Sequence, residues 1–215
     1  MNDGTEGYIR DIITRMCDGG EPLEPGTDSS QSISWKAMRE AENVDNQELV
    51  SPLVAYIEHE NDKNKRDRGY FLLGHIAKNT GDAAALKYLL EQAGKETDKY
   101  VLSSLLDRIA RIRKPPGTDL ANLIAATKSD KWLVRHAAIQ SLDNCVDAIA
   151  EKTLIAIVEE SSDAQDVIYA NAVLGNIGSR EAIRYIERHL NSRKKDVRIS
   201  AKIAIEAIEG RARLK

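Results

Sequence analysis

The sequence predicts an all-α chain in which about six antiparallel helix pairs stack as a solenoid. The main observation is a pattern that occurs six times: a residue that is usually small or aliphatic is followed four and seven positions later by apolar residues. The first residues of the six copies are Ala37, Gly69, Leu102, Ala138, Ala170 and Ala201. Successive copies are 31 to 36 residues apart, which is the period of proteins whose repeat is one helix pair.

The recurring pattern lies on the second helix of each pair, and an apolar segment before each copy supplies the first helix. In these segments apolar residues recur at spacings of three and four, as on one face of an amphipathic helix. The predicted first helices lie within residues 8–16, 49–57, 85–90, 120–124, 154–158 and 182–190. The predicted second helices begin near Gln31, Lys63, Glu96, Asp130, Asp163 and Lys195.

Residues 1–215 are predicted to form one solenoid domain, with an atypical N-terminal helix pair at residues 1–45. The prolines and glycine of residues 114–117 form a rigid turn and a potential hinge, which lengthens one spacing to 36 residues. The solenoid could divide there into two halves, although we favour one continuous core. The connection at residues 19–32 is longer than the roughly 2–8 residues usual between helices, and such loops are either mobile or functional.

The amino-acid composition limits the classes of protein to which the chain can belong. The two cysteines, Cys17 and Cys145, have no metal-ligand spacing, and Cys145 falls at an apolar position of its repeat, so we expect a buried free thiol. The first residues are polar and acidic, unlike a secretory leader, and no apolar run approaches the roughly 20 residues of a membrane span. We therefore expect a soluble, cytoplasmic protein without a metal or cofactor.

Charge is distributed unevenly along the chain, although the net charge is only −3. Residues 1–62 contain 14 Asp and Glu against four Lys and Arg, whereas residues 181–215 contain five against ten. An acidic first part and a basic last part attract different partners.

Helical geometry separates the buried from the partner-facing positions of each second helix. We number each second helix from the residue that lies four places before the first residue of its copy, and we call that residue position 0. Positions 0, 4, 7, 8 and 11 then form one stripe, which is predicted to be buried in the core. Positions 2, 6 and 9 lie on the opposite side, which is predicted to face a partner. The opposite positions in the first four repeats include aromatic residues beside acids, a combination that protein interfaces favour. The predicted partner-binding residues are Trp35, Arg39, Glu42, Asp67, Phe71, Tyr100, Asp107, His136, Gln140 and Asp143. If the register were off by one residue, Tyr70 and Tyr169 would exchange roles with their neighbours.

Two of the copies resemble HEAT repeats, and more narrowly the short HEAT-like units of the phycobilin lyase group. They are Asp130 to Arg135 with Ala138 and Leu142, and Asp196 to Arg198 with Ala201 and Ile205. The resemblance covers about residues 33–210 and implies a right-handed α-solenoid whose second helices line the concave face. It also implies that the arginines of the motif brace neighbouring repeats and that Trp132 packs against the turn between helices.

Three classes of enzyme use this architecture. Deoxyhypusine hydroxylases place Glu directly after His in several repeats to hold two irons. In this chain Ala137 follows His136, and the pair His59-Glu60 lies at the end of a first helix. The residues needed for a di-iron site are therefore missing from this pattern, and this class of enzyme is excluded. HEAT-like DNA-binding proteins and glycosylases need a basic track, which the predicted acids oppose, so a nucleic-acid partner is the less favoured alternative. A bilin lyase or its chaperone-like subunit remains an alternative, because its groove needs few diagnostic residues.

The favoured function is therefore a non-catalytic protein-binding solenoid. Some small HEAT-like proteins act as immunity proteins that neutralise a toxin, often a basic nuclease, and the resemblance implies this role for the chain. An acidic surface would attract the cationic active site of such a toxin and block it. In this hypothesis the predicted partner-binding residues contact the toxin, and the acidic loop from Glu21 to Asp28 helps to cover the bound toxin.

Overall fold

The computed structural model describes residues 3–19 and 28–213, and these residues form twelve α-helices. The helices are α1 (Asp3–Cys17), α2 (Ile33–Glu42), α3 (Val50–His59), α4 (Lys63–Thr80), α5 (Ala83–Gln92), α6 (Lys99–Ala110), α7 (Ala121–Ala126), α8 (Trp132–Ser141), α9 (Ala148–Glu160), α10 (Ala164–Ile177), α11 (Arg180–Ile186) and α12 (Lys195–Arg213). Short 3₁₀ turns lie at Ser29–Gln31, Gln47–Leu49 and Glu187–Asn191. Both helices of all six predicted pairs are thus present. Within the described ranges, no helix has the length and apolar character needed to cross a bilayer.

Side-chain caps determine where most of these helices begin. At the start of α4, Asp62 accepts hydrogen bonds from the backbone N–H groups of Asn64 and Lys65, at 2.8 and 3.0 Å. Such bonds satisfy donors that have no acceptor within the helix. The same role is filled by Ser32, Asp82, Asp98, Asp147, Asp163 and Ser179. The second helices consequently begin within three residues of the predicted positions.

The chain divides into two compact units, residues 1–112 and 113–215. In the first unit, α4 lies in the middle and packs against α1, α2, α3, α5 and α6. Its core is mainly aliphatic and includes Ile12, Ile13, Leu53, Leu72, Leu73, Ile76, Leu89 and Leu105. Helices α3 and α4 approach closely at Gly69, where a Cβ atom would lie 2.6 Å from Cγ1 of Ile57. The small residue of this repeat therefore permits the contact between the two helices.

In the second unit, α10 has the central place and packs against α8, α9 and α12. The core includes Leu123, Ala138, Leu142, Leu154, Ala170, Leu174 and Ala201. The unit begins directly before the predicted turn at residues 114–117. Lys114 is held by a backbone hydrogen bond of 2.9 Å from its N–H to the carbonyl of Asn144. Cys145, which follows, is buried as predicted, and its thiol is free.

The predicted long connection at residues 19–32 lies mostly outside the described residues. The described part begins at Asp28, whose carboxylate accepts a 3.0 Å hydrogen bond from the N–H of Ser30 and caps the 3₁₀ turn. The covering role predicted for Glu21 to Asp28 concerns residues that, except for Asp28, lie outside the described ranges.

Candidate protein-binding face

Each unit has a layer of second helices, α2, α4 and α6 in the first and α8, α10 and α12 in the second. We call the residues at positions 2, 6 and 9 of these helices, with their exposed neighbours, the second-helix face of the unit. Of the eighteen residues at positions 2, 6 and 9, eight are exposed, among them Trp35, Tyr100, Ile199 and Ile203, and four are buried. A register shifted by one residue would place Tyr70 on the face of α4, but Tyr70 is buried within the core.

On α2, three predicted residues form one connected group. The side chain of Trp35 is 41 % exposed. The guanidinium carbon of Arg39, one turn further, lies 4.5 Å from the centre of its ring. Arg39 also pairs with the carboxylate of Glu42. The aromatic ring is thus held in place by a cation that is itself neutralised.

On α4, the predicted residue Phe71 is buried, because Arg108 of α6 covers it. The guanidinium carbon of Arg108 lies 4.9 Å from the centre of the Phe71 ring. Nη1 of Arg108 donates to the backbone carbonyl and hydroxyl of Ser104, at 2.7 and 2.8 Å. Burial lowers the pKa of Arg108, and the charge of Asp67 opposes this shift. Phe71 therefore supports the face but does not present its own ring.

The predicted acids of the first unit differ in their surroundings. Glu42 pairs with Arg39, and Asp67 lies 3.2 Å from Nη1 of Arg68 and 3.6 Å from Nη2 of Arg108. Asp107 is exposed on α6. Beside it on the same helix, Tyr100 is 61 % exposed, with Nζ of Lys99 at 4.9 Å from its ring centre. The face therefore mixes both signs of charge around its aromatic rings.

The first unit as a whole is nevertheless acidic. Residues 1–112 contain 20 Asp and Glu against 14 Lys and Arg, a net charge of −6. The second unit has a net charge of +3 by the same count, from 14 acidic and 17 basic residues. A long-range field from the first unit would thus attract cations, even though its second-helix face is mixed.

In the second unit, the predicted residues on α8 and directly after it are buried or only partly accessible. His136 is 7 % exposed, and Gln140 and Asp143 are half-buried. The carboxylate of Asp143 accepts a 2.8 Å hydrogen bond from Nδ2 of Asn176 on α10. Its backbone carbonyl accepts a hydrogen bond of the same length from Nζ of Lys114. Asp143 therefore links elements of its own unit.

Arg135 braces two repeats, as the resemblance implied. Its Nε lies 2.9 Å from both oxygens of Asp166, and its Nη2 lies 2.8 Å from Asp163. The oxygens of these two acids and a ring nitrogen of His136 lie within 4.8 Å of one another, close enough for a metal ion. The guanidinium already binds both carboxylates there, so the cluster is a structural brace. Arg66 and Glu96 form the equivalent pair in the first unit.

Trp132 does not pack against the turn between helices. It is the first residue of α8 and is 63 % exposed. Since it lies one turn before His136, both rings project from the same side of the helix, with centres 5.6 Å apart. The ring of Tyr169 on α10 lies 4.9 Å from His136 on its other side. Three rings therefore form a row whose outer member is open to solvent.

The exposed or partly exposed face residues that the predicted set omits include Trp132, Tyr169, Ile199 and Ile203. Ile199 and Ile203 occupy positions 2 and 6 of the last repeat, so the same positional rule could have included them. Trp132 could have been found by its spacing of four residues from His136. Tyr169 could not, because its place beside His136 depends on how α8 and α10 pack.

Comparison with known proteins gives matches among solved structures. No family model matches the chain, and no curated protein is similar in sequence. An engineered protein from the Northeast Structural Genomics Consortium aligns over 98 % of both chains, with 18 % identity and a TM-score of 0.53. A designed armadillo repeat protein covers 93 % of this chain and 99 % of its own, with 15 % identity and a TM-score of 0.53. A structure described as computationally designed armadillo repeat proteins for modular peptide recognition aligns over the same fractions, with 14 % identity and a TM-score of 0.53.

These similarities show the fold class alone. The chain has the helical-repeat fold of the α-solenoid class, which confirms the architecture predicted from its six-fold pattern.

Proposed function

We propose that this chain is a non-catalytic, cytoplasmic protein that binds another protein through the second-helix face of its first unit. The observation that carries the proposal is the exposure of Trp35 and Tyr100, at 41 % and 61 %, in a layer of packed helices. Large, rigid aromatic side chains bury much area at small entropic cost, and they are enriched among residues that dominate binding energy.

The arrangement around these rings supports the proposal. Arg39 and Lys99 lie over Trp35 and Tyr100, and Asp107 is exposed on the same helix as Tyr100. Aromatic anchors within a polar surround are typical of interfaces between soluble proteins. The similar fold of proteins designed for modular peptide recognition adds support, because such a fold can present a continuous row of helices to a peptide.

The finer form of the proposal is that the partner is basic, such as a nuclease toxin, and that binding neutralises it. The net charge of −6 on the first unit supports a basic partner, since it would raise the rate of encounter. The role as an immunity protein is supported by the resemblance to small HEAT-like immunity proteins. A bilin lyase or chaperone-like subunit, or a DNA-binding protein, would be the alternative.

Capture of the partner tests this function. The full chain, carrying an affinity tag, is incubated with extract of its native host, and retained proteins are identified by mass spectrometry. We expect one basic protein to be retained. Trp35→Ala should reduce the amount retained by about tenfold or more, as expected for a central aromatic anchor. Lys87→Ala, on the exposed surface of α5, is the matched control and should retain the wild-type amount.

Other outcomes would contradict the proposal in different ways. Equal retention by the Trp35→Ala variant would move the binding site away from this face. A partner whose retention does not weaken in high salt would contradict the electrostatic part of the account. Purification with a coloured tetrapyrrole or with nucleic acid, and no protein partner, would favour the alternatives.

A further inference from the structure

The aromatic rings of the two second-helix faces differ in one respect. In the first unit, the rings at the predicted positions are each covered by a cation of the chain itself. Arg39 lies 4.5 Å from Trp35, Arg108 lies 4.9 Å from Phe71, and Lys99 lies 4.9 Å from Tyr100. In the second unit, Trp132 is 63 % exposed, and no Lys or Arg among the described residues lies over its ring.

The Trp132 ring is ordered by its neighbours. Its centre is 5.6 Å from that of His136, and the His136 ring is in turn 4.9 Å from Tyr169. The three rings are tilted against one another by 42–54°, a geometry that places ring edges near ring faces. Because His136 is almost fully buried, the row is a rigid support and Trp132 is its accessible end.

The charges behind this row favour a cation on its outer end. Nε2 of His136 lies 3.1 Å from Oδ1 of Asp166, which is buried, and Asp163 lies beside it. The two carboxylates and the Arg135 guanidinium carry a formal net charge of −1. The face of an indole ring is itself the strongest aromatic partner for a cation. The carboxylates behind the row therefore complement positive charge locally, although the second unit as a whole has a net charge of +3.

We propose that Trp132 receives an arginine side chain of the partner protein, which stacks on the indole as Arg39 stacks on Trp35 within this chain. The inference rests on the proposed function, because it assumes a protein partner, and it adds a second contact point in the other unit. Arginine is favoured over lysine because its planar guanidinium stacks on aromatic faces and is weakly hydrated.

A model peptide tests the site without the partner. In the full chain with Trp35→Phe, Trp132 is the one remaining tryptophan, so the single indole N–H resonance in an NMR spectrum reports on it alone. Titration with N-acetyl-Gly-Arg-Gly-amide should shift this resonance progressively, with a Kd of roughly 30–200 mM, as expected for a contact of about 1–2 kcal/mol. The peptide with citrulline in place of arginine has the same shape but no charge, and it should cause less than about a tenth of the shift.

A second variant controls for binding of the peptide at other places on the protein. Trp132→Ala in the otherwise wild-type chain removes only an exposed ring, so the protein should stay folded by circular dichroism. The arginine peptide should then no longer shift the ring resonances of Tyr169. Equal shifts with arginine and citrulline, or no shift at concentrations up to about 200 mM, would overturn the inference.

Failure of this inference can be told apart from failure of the proposed function. If a protein is captured through Trp35 while the arginine peptide leaves the Trp132 resonance unmoved, the function stands and the arginine site does not. If the peptide binds at Trp132 but the full chain captures no protein, the site stands and the proposed function fails.

Discussion

Replacing Arg135 with methionine is expected to destabilise the second unit by about 3 kcal/mol or more. The guanidinium contacts both oxygens of Asp166 at 2.9 Å and Asp163 at 2.8 Å. Asp166 is buried, so the variant would leave a carboxylate with little solvent and without its main counter-charge. Ser161 still donates a 2.9 Å hydrogen bond to Asp166, which is why the expected loss lies near the lower end for broken buried pairs.

Urea unfolding followed by the fluorescence of Trp132 measures this loss. The measurement is made in the Trp35→Phe background, so that the signal comes from the second unit. The matched control is Arg198→Met, at the same position of the last repeat. Arg198 is exposed and donates to the carbonyls of Ser192 and Arg193, so its loss should cost less than about 1 kcal/mol. Similar losses from the two variants would show that Arg135 is not a brace.

Raising the pH from 8 to 10 is expected to stabilise the second unit through Lys114. This side chain is fully buried, and burial lowers its pKa from 10.5 to about 8. Below pH 8 the lysine is charged in both the folded and the unfolded chain, and the folded state bears the cost of burying that charge. Between pH 8 and 10.5 the unfolded chain still binds a proton that the folded chain has released, so the free energy of unfolding increases with pH. The full gain is about 3 kcal/mol, since each pKa unit corresponds to about 1.4 kcal/mol.

The difference between the wild type and Lys114→Met isolates this contribution. Both are unfolded with urea between pH 7 and 10, and the groups that do not interact with Lys114 contribute equally to the two curves. Methionine fills a similar volume without a charge, although it cannot donate to the carbonyl of Asp143 as Nζ does at 2.8 Å. The wild type should gain stability relative to the variant as the pH rises. A constant difference across this range would contradict the account.

The fold could be predicted from the sequence because its determinants are local. The pattern that occurs six times identifies the second helices, and residues such as Asp62 and Asp163 mark the starts of these helices by capping them. Exposure on α2 and α6 also follows from helical position alone, so Trp35 and Tyr100 were placed correctly.

The site was less predictable, because its contacts join distant parts of the chain. Phe71 is buried under Arg108, which lies 37 residues further along the chain, on α6. The Arg135 to Asp166 pair spans 31 residues. Whether an acid on the face is free or neutralised depends on such pairings, so the predicted line of acids is in fact mixed with bases. The resemblance to HEAT-like repeats assigned Trp132 to the turn between helices, yet the helical period places it on the face beside His136.

Site-specific photo-crosslinking tests the central claim, that the second-helix face binds a protein, most directly. A photoreactive phenylalanine derivative replaces Tyr100, which is exposed on α6, in the full chain expressed in its host. The control carries it at Lys87, which is exposed on α5, a first helix of the same unit. The account predicts one discrete adduct from position 100 upon irradiation and none from position 87. An adduct from position 87 alone, or none from either, would contradict it.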